Sequence, residues 1–346
     1  MMDSHLSDFE QRKRDHIQLA LDPIHQTSQF NFFDEYELLH EAIPDMNFSD
    51  IDITVDSFAS SWNKPFFISS MTAGHEHASK INAHLLTACH EKGWAMGVGS
   101  QRRELIDDNA ADEWLSLRRD FPQVCMMANL GLAQVIATPI DTLRRLIDNL
   151  RAQVFIIHCN PLQEVIQPEG TPFFQGAWET IANVVRKLEI PVVVKETGCG
   201  FSIKTIQRLN QLGVYAIDVS GMGGTHWGRI EGARATHDFT LSRAAQTFAN
   251  WGISTASILA EAKGLLLQSQ LWGSGGIRNG LDAAKALVMG ATRVGLAKPV
   301  LAAALENPEA VIKVMAVFEY ELKVAMFCTG SQNIMALSQM PIKVRM

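Results

Sequence analysis

The stretch "HCNPLQEVIQPEG" (158–170) sets an imidazole, two amides and a carboxylate within seven residues, directly after the apolar, β-branched run "QVFII". His158 and Asn160 alternate with Cys159, so on a strand they face one side together. Gln163 and Glu164 fall in the loop beyond. Mg²⁺ often takes a single protein carboxylate and completes its shell with water and phosphate oxygens, so Glu164 is the metal candidate. His158 and Gln163 are candidates for moving a proton or orienting a substrate. Taken alone, a buried histidine bonded to its asparagine, with solvated Gln and Glu, is the commoner arrangement.

Two glycine-rich segments suit an anion. In "GSGGIRNGLDAAKALVMGATRVGLAKP" (273–299) the glycines let backbone N–H groups approach a phosphate, which makes Gly275, Gly276, Ile277, Ala297 and Lys298 candidates. In "DVSGMGGTHWGRIEG" (218–232) Ser220 and Thr225 add hydroxyls to a run of glycines, Trp227 can cover a ligand, and Glu231 shares its face if the segment is helical. A packed Trp and a solvated Glu is the plainer reading of that pair. Lys195 closes the apolar run "PVVVK", where burial is costly unless the ammonium meets an anion; a flavin ring that becomes anionic on reduction is such a partner. "RKRDH" (12–16) groups three cations in an otherwise acidic arm, and folded over a site its Arg12 and Lys13 would clamp a diphosphate.

Eight short apolar runs must position these groups: 64–72, 94–100, 124–131, 153–160, 191–198, 215–221, 270–276 and 292–298. Between most of them lie segments of helical period, such as 140–152 and 280–290. Eight strand–helix units with near-continuous apolar strands predict an α/β fold, a (β/α)8 barrel, whose catalytic groups come from the C-terminal strand ends. Ser70, Thr72, Ser100, Asn129, His158, Asn160, Lys195 and Ser220 stand at those ends and are expected to converge. An open doubly wound sheet is the runner-up, but its G-x-G-x-x-G turn is missing after the first strand. The whole chain, 1–346, reads as one barrel domain. Residues 1–60 form an arm contributing to the site, and 227–268 has room for at least one extra helix.

A net charge of −7 argues against nucleic acid as partner. Five widely spaced cysteines with no C-x-x-C pair read as reduced thiols of a cytoplasmic protein, and no secretory leader or membrane span is expected.

Together these segments resemble the flavin-dependent, type 2 isopentenyl-diphosphate δ-isomerases, through "RKRDHI", "SSMTAG", "VGSQR", "ANLG", "HCNPLQEVIQPEG", "VVVKETGCGFS", "DVSGMGGTHW", "WGIST" and "SGGIRNGLDAAKALVMGA". The pairing of "HxNxxQE" with an N-terminal "RKxxH" is specific to that family. The resemblance implies a barrel that binds FMN, requires Mg²⁺ and a reductant such as NADPH, and interconverts isopentenyl and dimethylallyl diphosphates. It implies Arg12 and Lys13 on the substrate diphosphate, with Ser100, Gln101, Arg102 and Gln163 also near the substrate and Glu164 on Mg²⁺. For the flavin it implies Ser70, Met71, Thr72, Ser100, Asn129, Lys195, Ser220, Thr225, Gly275, Gly276, Ile277, Ala297 and Lys298. Reduced FMN would act as the acid–base group, with His158, Gln163 and Glu231 as candidates for the second proton, and NADPH would only reduce the flavin. A homotetramer or octamer is implied as well. The run "MTAGHEH" departs from the two glycines many relatives carry, and His75 and His77 have no assigned role.

Two other readings compete. An FMN-dependent 2-hydroxy-acid oxidase would use His226 as base and Arg229 on a carboxylate, leaving the "RKRDH" arm and Glu164 without a task. A flavoprotein that only stores FMN would need no second anion site.

Overall fold

A computed structural model describes residues 2–27, 32–56, 62–72 and 76–345. Ala73 and His75 lie outside the described residues, as does the side chain of His77. Eight parallel strands close into a barrel: β1 Phe66–Ile68, β2 Ala95–Gly97, β3 Met126–Gly131, β4 Val154–Cys159, β5 Val192–Glu196, β6 Ala216–Asp218, β7 Gln270–Gly273 and β8 Arg293–Leu296. Pairing of Phe67 with Gly295 joins β1 to β8. Each strand falls within one of the eight apolar runs.

The two-residue period of the strands sorts side chains between two cores. Met127, Val154, Ile156, Val193, Ala216 and Trp272 form an apolar cluster within the barrel. Trp62 joins it, its indole N–H donating to the Phe66 carbonyl at 2.9 Å. The alternate residues, such as Ile157, Val194, Ile217 and Leu296, pack outward against the helices. Two positions beyond the inner cluster, on the same faces, stand Asn129, His158, Lys195, Asp218 and Ser274.

Helix Ile140–Leu150 buries Leu143, Leu146, Ile147 and Leu150, the spacing of one helical face, and stops where Arg151 turns left-handed at φ 45°. Helix Gly280–Val288 starts at Asn279, whose side chain accepts from the Asp282 amide. Segment 227–268 holds three helices, Trp227–Arg234, Phe239–Thr247 and Thr255–Ala262. The arm opens with helix Met2–Leu21, which packs on helices Trp227–Arg234 and Lys298–Ala304. Next, Gln26 bridges Thr225, and the Thr27 amide donates to Gly224 O at 2.8 Å, stitching the arm to the loop after β6. A small antiparallel ribbon, Tyr36–Leu38 with Ile342–Val344, lies apart from the barrel strands. Among the described residues no helix is long and apolar enough to cross a membrane.

The long C-terminal helix Pro308–Cys328 presses directly on the start of helix Gly280–Val288. A Cβ at Gly280 would sit 2.5 Å from the Leu322 nitrogen and the Phe318 oxygen, backbone atoms that cannot swing aside. Gly280→Val is therefore expected to cost roughly 1–3 kcal/mol of stability. Thermal unfolding checks this, and an unchanged midpoint contradicts the packing described.

Candidate active site

Two adjoining cavities open at the C-terminal ends of the strands. The larger, about 750 Å³, is lined by Thr72, Ser220, Thr225, Gly275, Gly276 and Ile277, and by Ala297 and Lys298. The smaller, about 120 Å³, is lined by Arg12, Ser100, Arg102, Asn129, His158, Asn160, Gln163 and Glu164. Lys13, His16, Ser70, Met71, Lys195 and Trp227 line both and mark where they meet. All eight strand-end residues expected to converge line one cavity or the other.

The wall of the larger cavity is built by loops after β6 and β7 that pack glycine on glycine. Gly276 has φ 80°, and a Cβ there would stand 2.8 Å from Gly223 Cα, so only glycine permits this approach. Thr255, from the "WGIST" segment, holds the two loops together: its hydroxyl donates to Ser274 O at 2.8 Å and Gly275 O at 2.7 Å and accepts from the Gly221 amide at 3.0 Å. Below them Ser274 Oγ donates to the buried Asp218 carboxylate at 2.7 Å. Lys195 Nζ donates to Glu196 O and to Ser220 Oγ at 3.2 Å. Burial pulls the Lys195 ammonium below its ordinary pKa, while Asp218 and Glu196 oppose that pull. The Ser69 and Ser70 hydroxyls are buried without a hydrogen-bond partner among the described residues, although both residues line this cavity. Unpaired hydroxyls, a buried ammonium and a cradle that excludes Cβ fit a planar, polar-edged cofactor bearing a phosphate.

In the smaller cavity, Asn129 Nδ2 donates to Val98 O, which turns its Oδ1 toward His158 Nδ1 at 3.0 Å. Nδ1 then carries the proton and Nε2 is an acceptor. Burial, aided by Lys195 and Lys13, lowers His158 to about 3, so it is a neutral imidazole at pH 7. Asn160 Nδ2 donates to Gln163 Oε1 and Glu164 Oε1, and its own Oδ1 is buried without a partner among the described residues. The other Glu164 oxygen accepts from the Thr171 amide at 2.6 Å. No group of three or more His, Cys, Asp or Glu able to hold a metal exists among the described residues. One carboxylate and one idle amide oxygen instead fit a cation that draws its remaining ligands from substrate and water.

The arm supplies the cations. Arg12 is buried and meets Glu169 at 3.5 Å. Burial, reinforced by Arg12 and Arg102 and opposed by Glu231, lowers the Lys13 ammonium to about 7. His16 stacks edge-on to Trp227, ring centroids 5.0 Å apart, with Nε2 2.9 Å from Glu231 Oε1. Glu231 is fully buried; burial pushes its carboxyl up, but His16, Gln163 and Arg234 outweigh this and hold it at about 2.

Several expectations are corrected by this geometry. Gln163 and Glu164 belong not to a loop but to helix Pro161–Ile166, which begins with a proline at its first position, and Glu164 is buried rather than solvated. Glu231 is not a solvated surface carboxylate: Gln163 Nε2 donates to it at 2.7 Å and Arg234 at 2.6 Å. It stands behind Gln163 and His16 rather than on a cavity wall. Gln101 does not line either cavity. Its amide donates to Glu104 and Leu146 O, and its oxygen accepts from the Asn129 amide, so it braces β3 from the side. His226 and Arg229 are committed elsewhere: His226 caps its helix through the Arg229 amide and meets Trp251 O, and Arg229 donates to Ala249 O, Ile24 O and Gln26 O. Neither is available to abstract a proton or grip a carboxylate, which removes the geometric basis for a hydroxy-acid oxidase. His16, Arg234, Glu169 and Thr255 carry no individual sequence assignment; His16 closes "RKRDH", Glu169 lies in "HCNPLQEVIQPEG" and Thr255 ends "WGIST", whereas no quoted segment contains Arg234.

Residues 159–343 match the family model of FMN-dependent dehydrogenases. A mandelate oxidase variant with 2-hydroxy-phenylacetamide superposes with TM-score 0.65 at 17% identity, covering 99% of this chain and 98% of that one, a likeness of fold. Isopentenyl-diphosphate delta-isomerases are far closer in sequence. That of Legionella pneumophila (strain Paris) is 58% identical over 96% of this chain and 97% of its own length. Those of Bdellovibrio bacteriovorus and Cronobacter sakazakii are 51% and 42% identical, over 96% and 98% of this chain and 97% of their own lengths. On full-length identity of this order, the chain belongs to the type 2, FMN-dependent isopentenyl-diphosphate delta-isomerase family.

Proposed function

We infer that this protein interconverts isopentenyl diphosphate and dimethylallyl diphosphate, with the flavin in the larger cavity and the diphosphate in the smaller. The observation that carries this reading is the meeting of a glycine-walled cavity with a compartment rich in Arg and Lys at a shared boundary of Lys13, His16 and Trp227. A C5 chain anchored by its diphosphate near Arg12, Lys13 and Arg102 would lay its alkene on that boundary. The reaction adds a proton to the terminal carbon and removes one from the methylene, through a carbocation-like state, without net redox change.

The residues divide the work. Arg12, Lys13 and Arg102 bind the diphosphate, Arg12 with a fork suited to two oxygens. Glu164, with the idle Asn160 Oδ1, would hold Mg²⁺ against diphosphate oxygens. Lys195, Ser70, Met71, Thr72, Asn129, Ser100, Ser220, Thr225 and the wall from Gly275 to Ile277, with Ala297 and Lys298, would hold FMN. Trp227 covers the boundary and excludes water from the developing cation. His158 offers Nε2 as an acceptor, while Gln163 faces the same cavity with its amide fixed by Glu231. Glu231 takes part through Gln163 and His16. When bound, reduced FMN supplies an electron-rich ring able to deliver and accept a proton beside the alkene. NADPH is proposed only as the reductant of the flavin. The family resemblance supports that role, a cytoplasmic location and a homo-oligomer.

Anaerobic assay with chemically reduced FMN, Mg²⁺ and no NADPH is expected to give many dimethylallyl diphosphates per flavin and no turnover of lactate or glycolate. Turnover of the hydroxy acids without isomerisation would overturn the reading.

Lys13 adds a pH dependence. Its ammonium is charged below about pH 7 and neutral above, so its contribution to anion binding is present below 7 and lost as pH rises until the bound anion's own pull keeps it charged. The advantage of the parent protein over Lys13→Gln in binding inorganic pyrophosphate is expected to fall above pH 7, by up to about tenfold per pH unit. Isothermal titration at several pH values reads this ratio, and a ratio constant from pH 6 to 9 contradicts it.

A further inference from the structure

We propose that Arg234 is a positioning residue: it fixes the Glu231 carboxylate for proton handling and ties it, through Asp15 and Glu169, to the helix that carries the diphosphate-binding cations. This rests on the isomerase reading above and adds a residue to it.

Arg234 ends the short helix that carries Trp227 and Glu231. One guanidinium nitrogen, Nη1, donates to Glu231 Oε2 at 2.6 Å. A second, Nη2, reaches Glu169 Oε1 at 2.9 Å, and Nε faces Asp15 Oδ2 at 3.5 Å. All three nitrogens of the fork are therefore directed to carboxylates on three different elements. Such a planar, permanently charged fork can hold three partners in fixed relation, which a lysine cannot.

The arrangement divides the two Glu231 oxygens. Oε2 is engaged by Arg234, which leaves Oε1 for Gln163 at 2.7 Å and His16 at 2.9 Å, the two neighbours that line the smaller cavity. From the arm helix Glu231 is faced by His16, Lys13 and Arg12. From helix Pro161–Ile166 it is faced by Gln163, with Glu164 one position on and already bonded to Asn160. From its own helix comes Arg234, while Arg229 is turned to Ala249 O, Ile24 O and Gln26 O. The packed helix Phe239–Thr247 offers only Arg243, which is exposed, and the turn Pro23–His25 offers His25. Arg234 is the only one of these cations bonded to Glu231 itself with no place on a cavity wall.

Glu169 extends the link. Its Oε1 is shared by Arg234 at 2.9 Å and Arg12 at 3.5 Å. When Arg12 turns to a diphosphate, Arg234 keeps Glu169 paired, so engagement of the anion leaves no stranded carboxylate beside Glu231. The diphosphate-binding arm and the Glu231 carboxylate are thereby joined through a single guanidinium.

The test uses flavin-loaded, chemically reduced enzyme, with kcat and KM followed from pH 5 to 9. Arg234→Gln removes one of the groups that, with His16 and Gln163, hold Glu231 ionised against its burial, so the acid limb of kcat should move to higher pH than in the parent. At pH 7 kcat should fall tenfold or more while KM stays within about threefold. Arg234→Lys, which keeps the charge, should restore the position of the acid limb while recovering only part of kcat. Flavin absorbance and the thermal midpoint report folding; if Arg234→Gln does not fold, the acid limb and kcat of Arg234→Lys against the parent carry the test. An Arg234→Gln enzyme with the parent's kcat and acid limb overturns the proposal, as does an Arg234→Lys enzyme indistinguishable from the parent in both. A parent enzyme that makes no dimethylallyl diphosphate would instead sink the isomerase reading.

Discussion

A strand in a barrel shows the same face every second residue, and here that face changes character within one step. Met127, Ile156, Val193, Ala216 and Trp272 close the inner cluster, and two residues later the same faces carry Asn129, His158, Lys195, Asp218 and Ser274. The apolar layer supplies the burial that holds the strands in register, about 1.5–3 kcal/mol for each large side chain. The polar layer above it is costly to bury and is stable only where its groups are paired or aimed at a ligand. The site therefore follows from where the sequence changes from Val and Ile to His and Lys along strands already fixed.

Electrostatics then separates two compartments. On a chain of net charge −7, cations gather at one end, Arg12 and Arg102 over one cavity, Lys298 in the other, and Lys13 and Lys195 where the two meet. Burial lowers Lys13 and Lys195 toward neutrality, so each gains from an anion that restores its charge. Glu231 shows the opposite balance. Burial pushes its carboxyl up, yet His16, Gln163 and Arg234 keep it ionised behind the cavity wall. Charge at the mouth is poised for ligands, while charge behind it is already settled within the protein.

The barrel was legible because each β strand lies inside an apolar run that could be read one segment at a time. The strand-end residues were legible for the same reason, since alternation alone puts His158 and Asn160 on the inner side. Contacts between distant segments were not. Arg12 and Glu169 are separated by 157 residues and Arg234 and Asp15 by 219, and no local pattern announces either pair. The family resemblance puts Gln101 near the substrate, but the short helical turn Gln101–Leu105 carries it to the side of β3. Helix Pro161–Ile166 did have a signal, Asn160 followed by Pro161, which favours a helix start over a loop.

The claim on which the rest depends is that flavin and diphosphate occupy separate compartments that meet at Lys13, His16 and Trp227. A crystal structure with FMN, Mg²⁺ and isopentenyl diphosphate under reducing, anaerobic conditions tests it most directly. The account predicts the flavin phosphate against Gly275 and Gly276, the substrate diphosphate beside Arg12 and Lys13 with Mg²⁺ on Glu164, and the C5 chain under Trp227. A substrate diphosphate bound in the glycine-walled cavity, or one bound away from Arg12 and Glu164, would contradict it.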